Sequence, residues 1–396
     1  MKKDYKIKLS KKGLDKPDFS KIFKRPIQNI KDGREALISS NEIDKENDDD
    51  VRIYNSISTC YTKLDENEIL LLKDYAEIEE ITSVEELMLY SQDEISPIRE
   101  SDFVSEIKWN VKQVKADMAW NKATGKGVKI AILDSGVDTS HPDLNITGGS
   151  SFVTGISDWQ NPTDPHGTFC AGIIGAKNNA NGVIGIAHDS EIYAYRISNN
   201  GRAKEEWVFA AMEEAIKEKI DVVSFSLWNT GGENDPNAPF WSSWEEMARK
   251  LVDAGCSVVG IAGNSGNQAN HWVTNPSRCP SYISVGATKE NESIWEKSSY
   301  GPINLPVTQS VEIVAPGHLV LSTNPGGGYG IGSGTSYAAP HVAAAIALLK
   351  QAFPHWTPQE IRQRLHSSSK DIYLPGRDEK SGFGLLDCNN ALSFPI

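Results

Sequence analysis

No apolar run in the chain approaches the ~18–20 residues that a membrane-spanning helix needs. No membrane partner is therefore expected. The first residues, "MKKDYKIKLSKKGLDKPDF", are basic but contain no apolar core, so they do not read as a secretory signal. With Met1 taken as the start, the expected compartment is the cytoplasm. Cysteine is scarce: Cys60, Cys170, Cys256, Cys279 and Cys388 are the only five in 396 residues. They are an odd number, widely spread, with no CxxC or Cys/His spacing. That argues against a disulfide framework and a zinc site and fits thiols in a reducing compartment. Positive charge is in deficit, with 40 Lys+Arg against 53 Asp+Glu and a net charge of −13, so nucleic acid is not an expected partner. Phosphate-binding loops are missing too. "VKIAILDSG" (128–136) could pass for a first nucleotide-binding strand, yet no G-x-G-x-x-G and no P-loop follows.

The composition is otherwise that of a globular protein, 39% apolar and 23% charged, and 396 residues suggest two units. Residues 1–50 are lysine-rich and then acidic ("NEIDKENDDD"), which reads as a partly disordered extension. Residues 51–90 read as a small α+β unit. "VRIYNSIST" alternates like a strand, "DENEILLLKDY" has a capping Asp65 and helical spacing, and "EIEEITSVEELMLYS" reads as strand and tail. Residues 91–103 read as a linker. From 104 to 396, short β-branched runs alternate with helical patterns. The runs are "VKIAIL", "IYAYRI", "IDVVSFSL", "CSVVGIA" and "YISVGA"; the helices include "KEEWVFAAMEEAIKEK" and "SWEEMARKLVDAG". This pattern predicts an α/β fold with a parallel sheet buried on both faces and chemistry at the carboxyl ends of the strands.

Four side chains stand where that architecture would gather them. Asp134 follows the first strand, His166 opens a helix in "DPHGTFCAGIIGA", Asn264 follows a strand in "GIAGNSGN", and Ser336 opens the last apolar helix in "GSGTSYAAPHVAAA". Each alone has an ordinary structural reading as cap, turn former or packed residue. Together they are what acyl transfer requires. The hydroxyl needs a base, the imidazole needs a carboxylate to fix its tautomer, and the developing oxyanion needs an N–H donor.

"DSGVDTSHPDL", "HGTFCAGIIGA", "GIAGNSGN" and "GTSYAAPHVA", in that order, resemble the subtilisin-like serine proteases (subtilases) over residues 104–396. The resemblance implies a subtilisin-like parallel sheet flanked by helices, with Asp134, His166 and Ser336 as catalytic triad and Asn264 as oxyanion donor. It implies that residues 51–90 are a propeptide-like domain acting as intramolecular inhibitor and folding aid. The tail Leu87, Met88, Leu89 and Tyr90 would then lie in the substrate cleft, with cleavage after Tyr90 or within 91–103; a permanent domain is the alternative. It implies a substrate strand running beside Gly201, Arg202, Ala203, Ser226 and Leu227, near Ala262 and Gly263. It also implies a possible structural Ca2+ held by Asp143, Asn179 and the carbonyls of Lys177, Asn181 and Val183, with Ser105 a poor final ligand.

Some positions depart from the family pattern. Trp228 stands where glycine is usual, so its ring either reshapes the pocket or packs outward on the inserted "NTGGENDPNAPFW". Glu205 falls near a pocket rim, where it either favours a basic substrate residue or is a solvated helix charge. Tyr337 replaces a methionine and cannot form the sulfoxide. Cys170 lies one helical turn past His166 and reads as an inert core thiol. The expected function is a serine endopeptidase made as a zymogen, either for selective peptide processing or for regulated intracellular turnover. The rival is a catalytically silent binding protein whose cleft is filled by its own N-terminal domain.

Overall fold

A computed structural model describes residues 3–9, 27–30, 51–54, 59–64, 69, 72, 78–83, 87–89, 95–98 and 107–393, except 163, 180–181, 230–241, 270 and 302–309. The amino-terminal part contains β1 (Lys3–Leu9), β2 (Ile27–Ile30), β3 (Val51–Tyr54), β4 (Thr59–Leu64) and β5 (Ile78–Ser83), in the spatial order β2-β3-β4-β1-β5. β1 is antiparallel to both β4 and β5, with Ile7 opposite Cys60 on one side and Ile81 on the other. Ile7, Cys60, Leu64 and Leu72 form its buried core. The expected extension at 1–50 therefore contributes an interior strand. Tyr5, Ile7 and Leu9 alternate with Lys6 and Lys8, a period-two signal that the lysine-rich composition hides. Ile69 and Leu72 are helical, as expected, whereas the cap Asp65 lies outside the described residues.

Two short strands follow, β6 (Leu87–Leu89) and β7 (Ser96–Ile98). The larger unit then begins with α1 (Trp109–Gln113), α2 (Ala116–Ala119), β8 (Lys129–Asp134), β9 (Ile146–Ser151), α3 (His166–Gly175), β10 (Glu191–Arg196), β11 (Ser198–Asn199) and β12 (Arg202–Ala203). It continues with α4 (Glu205–Lys217), β13 (Val222–Phe225), β14 (Leu227–Asn229), α5 (Ser242–Asp253), β15 (Ser257–Ile261), β16 (Tyr282–Thr288) and β17 (Ile313–Pro316). It ends with β18 (Val320–Asn324), β19 (Gly328–Gly332), α6 (Thr335–Ala352), α7 (Pro358–Ser368) and α8 (Cys388–Ala391).

Seven parallel strands form the central sheet in the order β17-β16-β15-β13-β8-β10-β9. The apolar runs read as doubly buried strands are at its centre. In β8, Ile130 and Ile132 enter one core cluster and Ala131 and Leu133 the other, so successive side chains are buried on opposite faces. α3 and α6 cover one face; α4 and α5 cover the other. α6 fits closely because six of its alanines, Ala338, Ala339, Ala343, Ala344, Ala345 and Ala347, are buried. The strands all point their carboxyl ends the same way, which brings the ends of β8 and β15 to one rim.

Two smaller sheets join the parts. β6 lies antiparallel between β12 and β14, with Leu87 opposite Ala203 and Asn229, and Leu89 opposite Leu227. β7 adds a third strand to the β18–β19 hairpin, with Ser96 opposite Ile331. Among the described residues, no helix is long and apolar enough to cross a membrane. All five cysteines are buried and none is in a disulfide.

Candidate active site

β8 ends on Asp134, and this buried carboxylate is where the sheet stops and polar groups begin. Its Oδ1 accepts the Ser135 N–H at 2.7 Å. His166 opens α3, where Asp164 Oδ1 accepts the His166 N–H at 2.9 Å, satisfying a first-turn donor. Gly167 lets this turn come close: a Cβ there would lie 2.2 Å from the Gly136 carbonyl oxygen and 3.1 Å from Asp134 Oδ1. The result is His166 Nδ1 at 2.9 Å from both Asp134 oxygens. Nδ1 therefore carries the proton and Nε2 presents its lone pair. Burial opposes charge on this imidazole, but the Asp134 carboxylate outweighs it and holds His166 well above the ordinary histidine value.

Ser336 is the second residue of α6 and is buried. Among the described residues, neither Ser336 Oγ nor His166 Nε2 has a hydrogen-bond partner. Two buried polar atoms without partners are costly in a fold that satisfies most of its buried polar groups. Asn264 sits in the turn after β15. Its Oδ1 accepts the Thr335 N–H at 2.9 Å and the Thr335 hydroxyl at 2.8 Å, which fixes the orientation of the amide. The Thr335 hydroxyl also accepts the Gly263 N–H at 3.2 Å, and Gly263 has φ +106°, a conformation that glycine adopts without strain. Sequence reasoning singled out Asn264 but missed its holder; the signal was Thr335 immediately before the serine.

The remaining expected residues are distributed as follows. Ser226 is buried and its hydroxyl donates to the Ser336 carbonyl at 3.4 Å. Cys170 is buried with Sγ 3.8 Å from His166 Nδ1 and 3.6 Å from the Ser336 carbonyl; burial pushes its thiol up, in keeping with an inert core group. Tyr337 is buried with its ring centroid 4.4 Å from Phe169 and 5.5 Å from His166. Gly201 and Ala203 are buried, Arg202 is exposed, and Ala203 and Leu227 flank β6. Ala262 is buried beside Gly263. Trp228 is half-buried against the core cluster that holds α3 and α6; the inserted residues 230–241 lie outside the described residues. Glu205 is not a solvated helix charge. It is 6% exposed, because Tyr61 of the amino-terminal sheet covers it. Leu87 is buried in the same cluster as Tyr61 and Ala203, while Tyr90 lies outside the described residues.

Among the described residues, the side chains expected to hold a cation meet one another instead. Asp143 is buried, and three donors meet its carboxylate: the Tyr329 hydroxyl at 2.7 Å, the Asn179 amide at 2.9 Å and the Val183 N–H at 3.2 Å. Asn179 thus turns its NH2, not its oxygen, toward Asp143. Lys177 brings its ammonium to the Pro142 carbonyl at 2.7 Å, adding positive charge beside the loop. Such donors compensate the carboxylate without a metal, and the donor set does not fit Ca2+. Asn181 and Ser105 lie outside the described residues.

Comparison with known proteins agrees with this geometry. A model described as the Subtilase family matches residues 125–384. Subtilisin E of Bacillus subtilis (strain 168) is 35% identical over 293 residues, covering 73% of this chain and 72% of the relative. Subtilisin of Bacillus pumilus is 36% identical over 288 residues, 72% of this chain and 98% of the relative. Subtilisin Savinase of Lederbergia lenta is 37% identical over 287 residues, again 72% and 98%.

Proposed function

The chain belongs to the subtilase family of serine proteases, and from that premise we propose that Asp134, His166 and Ser336 are its catalytic triad and that residues 3–90 hold it latent. It is a serine endopeptidase. The observation that carries the triad is the Asp134–His166 pair, with Nδ1 at 2.9 Å from the carboxylate, together with a buried Ser336 hydroxyl and a His166 Nε2 that both lack a partner among the described residues.

In this reading His166 Nε2 takes the Ser336 Oγ proton as Oγ attacks the scissile carbonyl carbon. Asp134 keeps the imidazole in the right tautomer and stabilises the imidazolium. The carbonyl oxygen, now an oxyanion, accepts from the Asn264 amide and from the Ser336 N–H in the first turn of α6. The tetrahedral adduct collapses when His166 returns the proton to the leaving amine, giving the acyl-enzyme. Water, deprotonated by the same nitrogen, then releases the acid and regenerates Ser336. No step passes through a cation.

Latency is supported by β6. Leu87–Leu89 occupies the edges of β12 and β14 as an extended peptide would, so the amino-terminal part takes the place of substrate. Leu89 pairs with Leu227, the neighbour of Ser226, whose hydroxyl reaches the Ser336 carbonyl. That register favours cleavage after Tyr90.

The test is intact mass of the wild type beside Ser336→Ala, with a fluorophosphonate probe on both. The expected result is a wild type shortened between 90 and 103 and labelled, and a variant that stays whole and unlabelled. Two whole, unlabelled proteins would overturn the reading in favour of a silent scaffold with a filled cleft.

A further inference from the structure

Glu205 is a buried carboxylate that the reaction does not use. It is the first residue of α4, two positions after Ala203, whose strand holds Leu87. Its Oε2 accepts the Tyr61 hydroxyl at 2.8 Å, and its Oε1 accepts the Lys6 ammonium at 3.0 Å. Ser243 completes the cluster, donating to Oε1 at 3.3 Å and accepting from Lys6 at 2.9 Å. Among the described residues, two of the three partners, including the cation, therefore come from the amino-terminal sheet. Leu87, Tyr61, Ala203, Phe209 and Trp244 belong to one buried cluster, so an apolar wall and a carboxylate meet where β6 places Leu87.

We infer that Glu205 is a cation-selecting subsite for substrate, with Lys6 its resident occupant while the amino-terminal sheet is docked. The inference rests on the proposal that substrate replaces β6 between β12 and β14. When the sheet leaves, Glu205 keeps only Ser243 of these partners. The sheet's departure removes both the cover and the cation, and a substrate that buries the carboxylate again binds well only if it also supplies a positive charge. Lysine or arginine at the substrate residue aligned with Leu87 fits both features. Its methylene stem covers the apolar wall and its charged end reaches Glu205. In the uncut chain the two jobs are split, with Leu87 supplying the apolar part and Lys6 the charge. Peptides with a basic residue four positions before the cut, counting Tyr90 as the residue before the bond, are the substrate class this selects.

The test uses the full-length chain after its activity has developed. The peptide VEELMLYSQD, copied from residues 84–93, is compared with analogues carrying lysine or norleucine at the position of Leu87. Lysine is expected to exceed both uncharged residues in kcat/KM by about tenfold, the scale of a charged hydrogen bond. The advantage should shrink with added salt. In Glu205→Gln the lysine preference should vanish, and Glu205→Asp should retain part of it. Norleucine equal to lysine in the wild type, or the same preference in wild type and Glu205→Gln, overturns the inference. The wild-type comparison decides the matter even if the variants do not fold. If all three peptides are cut equally, only this inference falls. If none is cut by a Ser336-dependent activity, the protease reading falls with it.

Discussion

In the proposed mechanism Asn264 is an oxyanion donor, and Thr335 sets its orientation. Thr335 occupies its oxygen twice, so rotation of the amide would break two buried hydrogen bonds. Asn264→Ala should lower kcat by about 10²–10³-fold with little change in KM, a magnitude established for the oxyanion amide of this family. Steady-state kinetics on a peptide ester would check it. His166 makes the second residue-scale prediction. Burial disfavours its charge, yet Asp134 raises it well above the usual histidine value. The base must be neutral to accept a proton, so kcat/KM should rise only as pH climbs through that raised value. Asp134→Asn removes the raising charge and leaves burial, so the acid limb should move to lower pH while kcat falls about 10⁴-fold. An unmoved limb would mean that another group controls it.

At the scale of elements, the site depends on how closely α3 approaches β8. Gly167 meets the Gly136 carbonyl where any side chain would collide at 2.2 Å with backbone that cannot swing away. Gly167→Ala should push the start of α3 outward, lengthen the His166–Asp134 contact and cut kcat by about 10²-fold, the cost of a misplacement of about 1 Å. The circular dichroism spectrum should remain that of a folded protein. At the other end of α3, Gly172 makes similar room: a Cβ would lie 2.3 Å from Thr323 Oγ1. The Ser322 and Thr323 hydroxyls donate there to the Phe169 and Thr168 carbonyls, both at 2.7 Å, so β18 fixes the helix along its length.

For the whole molecule, one charged cluster ties helix α7 to the sheet. Glu312 is fully buried beside β17. Its Oε2 accepts from Arg362 Nε and from His366 Nε2, both at 2.8 Å, and Arg362 Nη2 reaches Oε1. Arg362 also donates to the Pro280 and Tyr282 carbonyls, bringing β16 into the same cluster. Burial raises the Glu312 carboxyl, but the Arg362 charge outweighs it and leaves it below the usual glutamate value. A depressed carboxyl contributes stability above its unfolded pKa and loses it as pH falls through the folded value. The link should therefore hold at neutral pH and fail below the normal glutamate range. Glu312→Ala would leave Arg362 with no counterion and should cost about 3–5 kcal/mol. Urea unfolding at pH 7 and pH 3 should show a wide gap between wild type and variant at the first and a narrow one at the second.

The parallel sheet was legible in the sequence because a strand buried on both faces must be mostly apolar, and the runs at 128–133, 220–227 and 256–262 are, with Lys129, Asp221 and Ser257 near their starts. Asp134, His166, Asn264 and Ser336 were legible for a related reason: each follows a strand or opens a helix, and such ends collect on one rim of a parallel sheet. Other features depend on pairings between distant segments, which local pattern does not encode. Lys3–Leu9 read as a polar tail, since its alternation lies among lysines and its partners are more than 50 residues away. Glu205 read as a possible surface charge because a helix start normally faces water; Tyr61 and Lys6 bury it from another part of the chain. The loop at 177–183 kept a cation-binding pattern, yet the Tyr329 hydroxyl, from a hairpin far along the chain, reaches Asp143. Residue types and strand ends determined the chemistry this chain can perform. Only the tertiary structure decided which segment lies along the cleft edges and which cation meets Glu205, because those contacts arise when separate elements exclude water together.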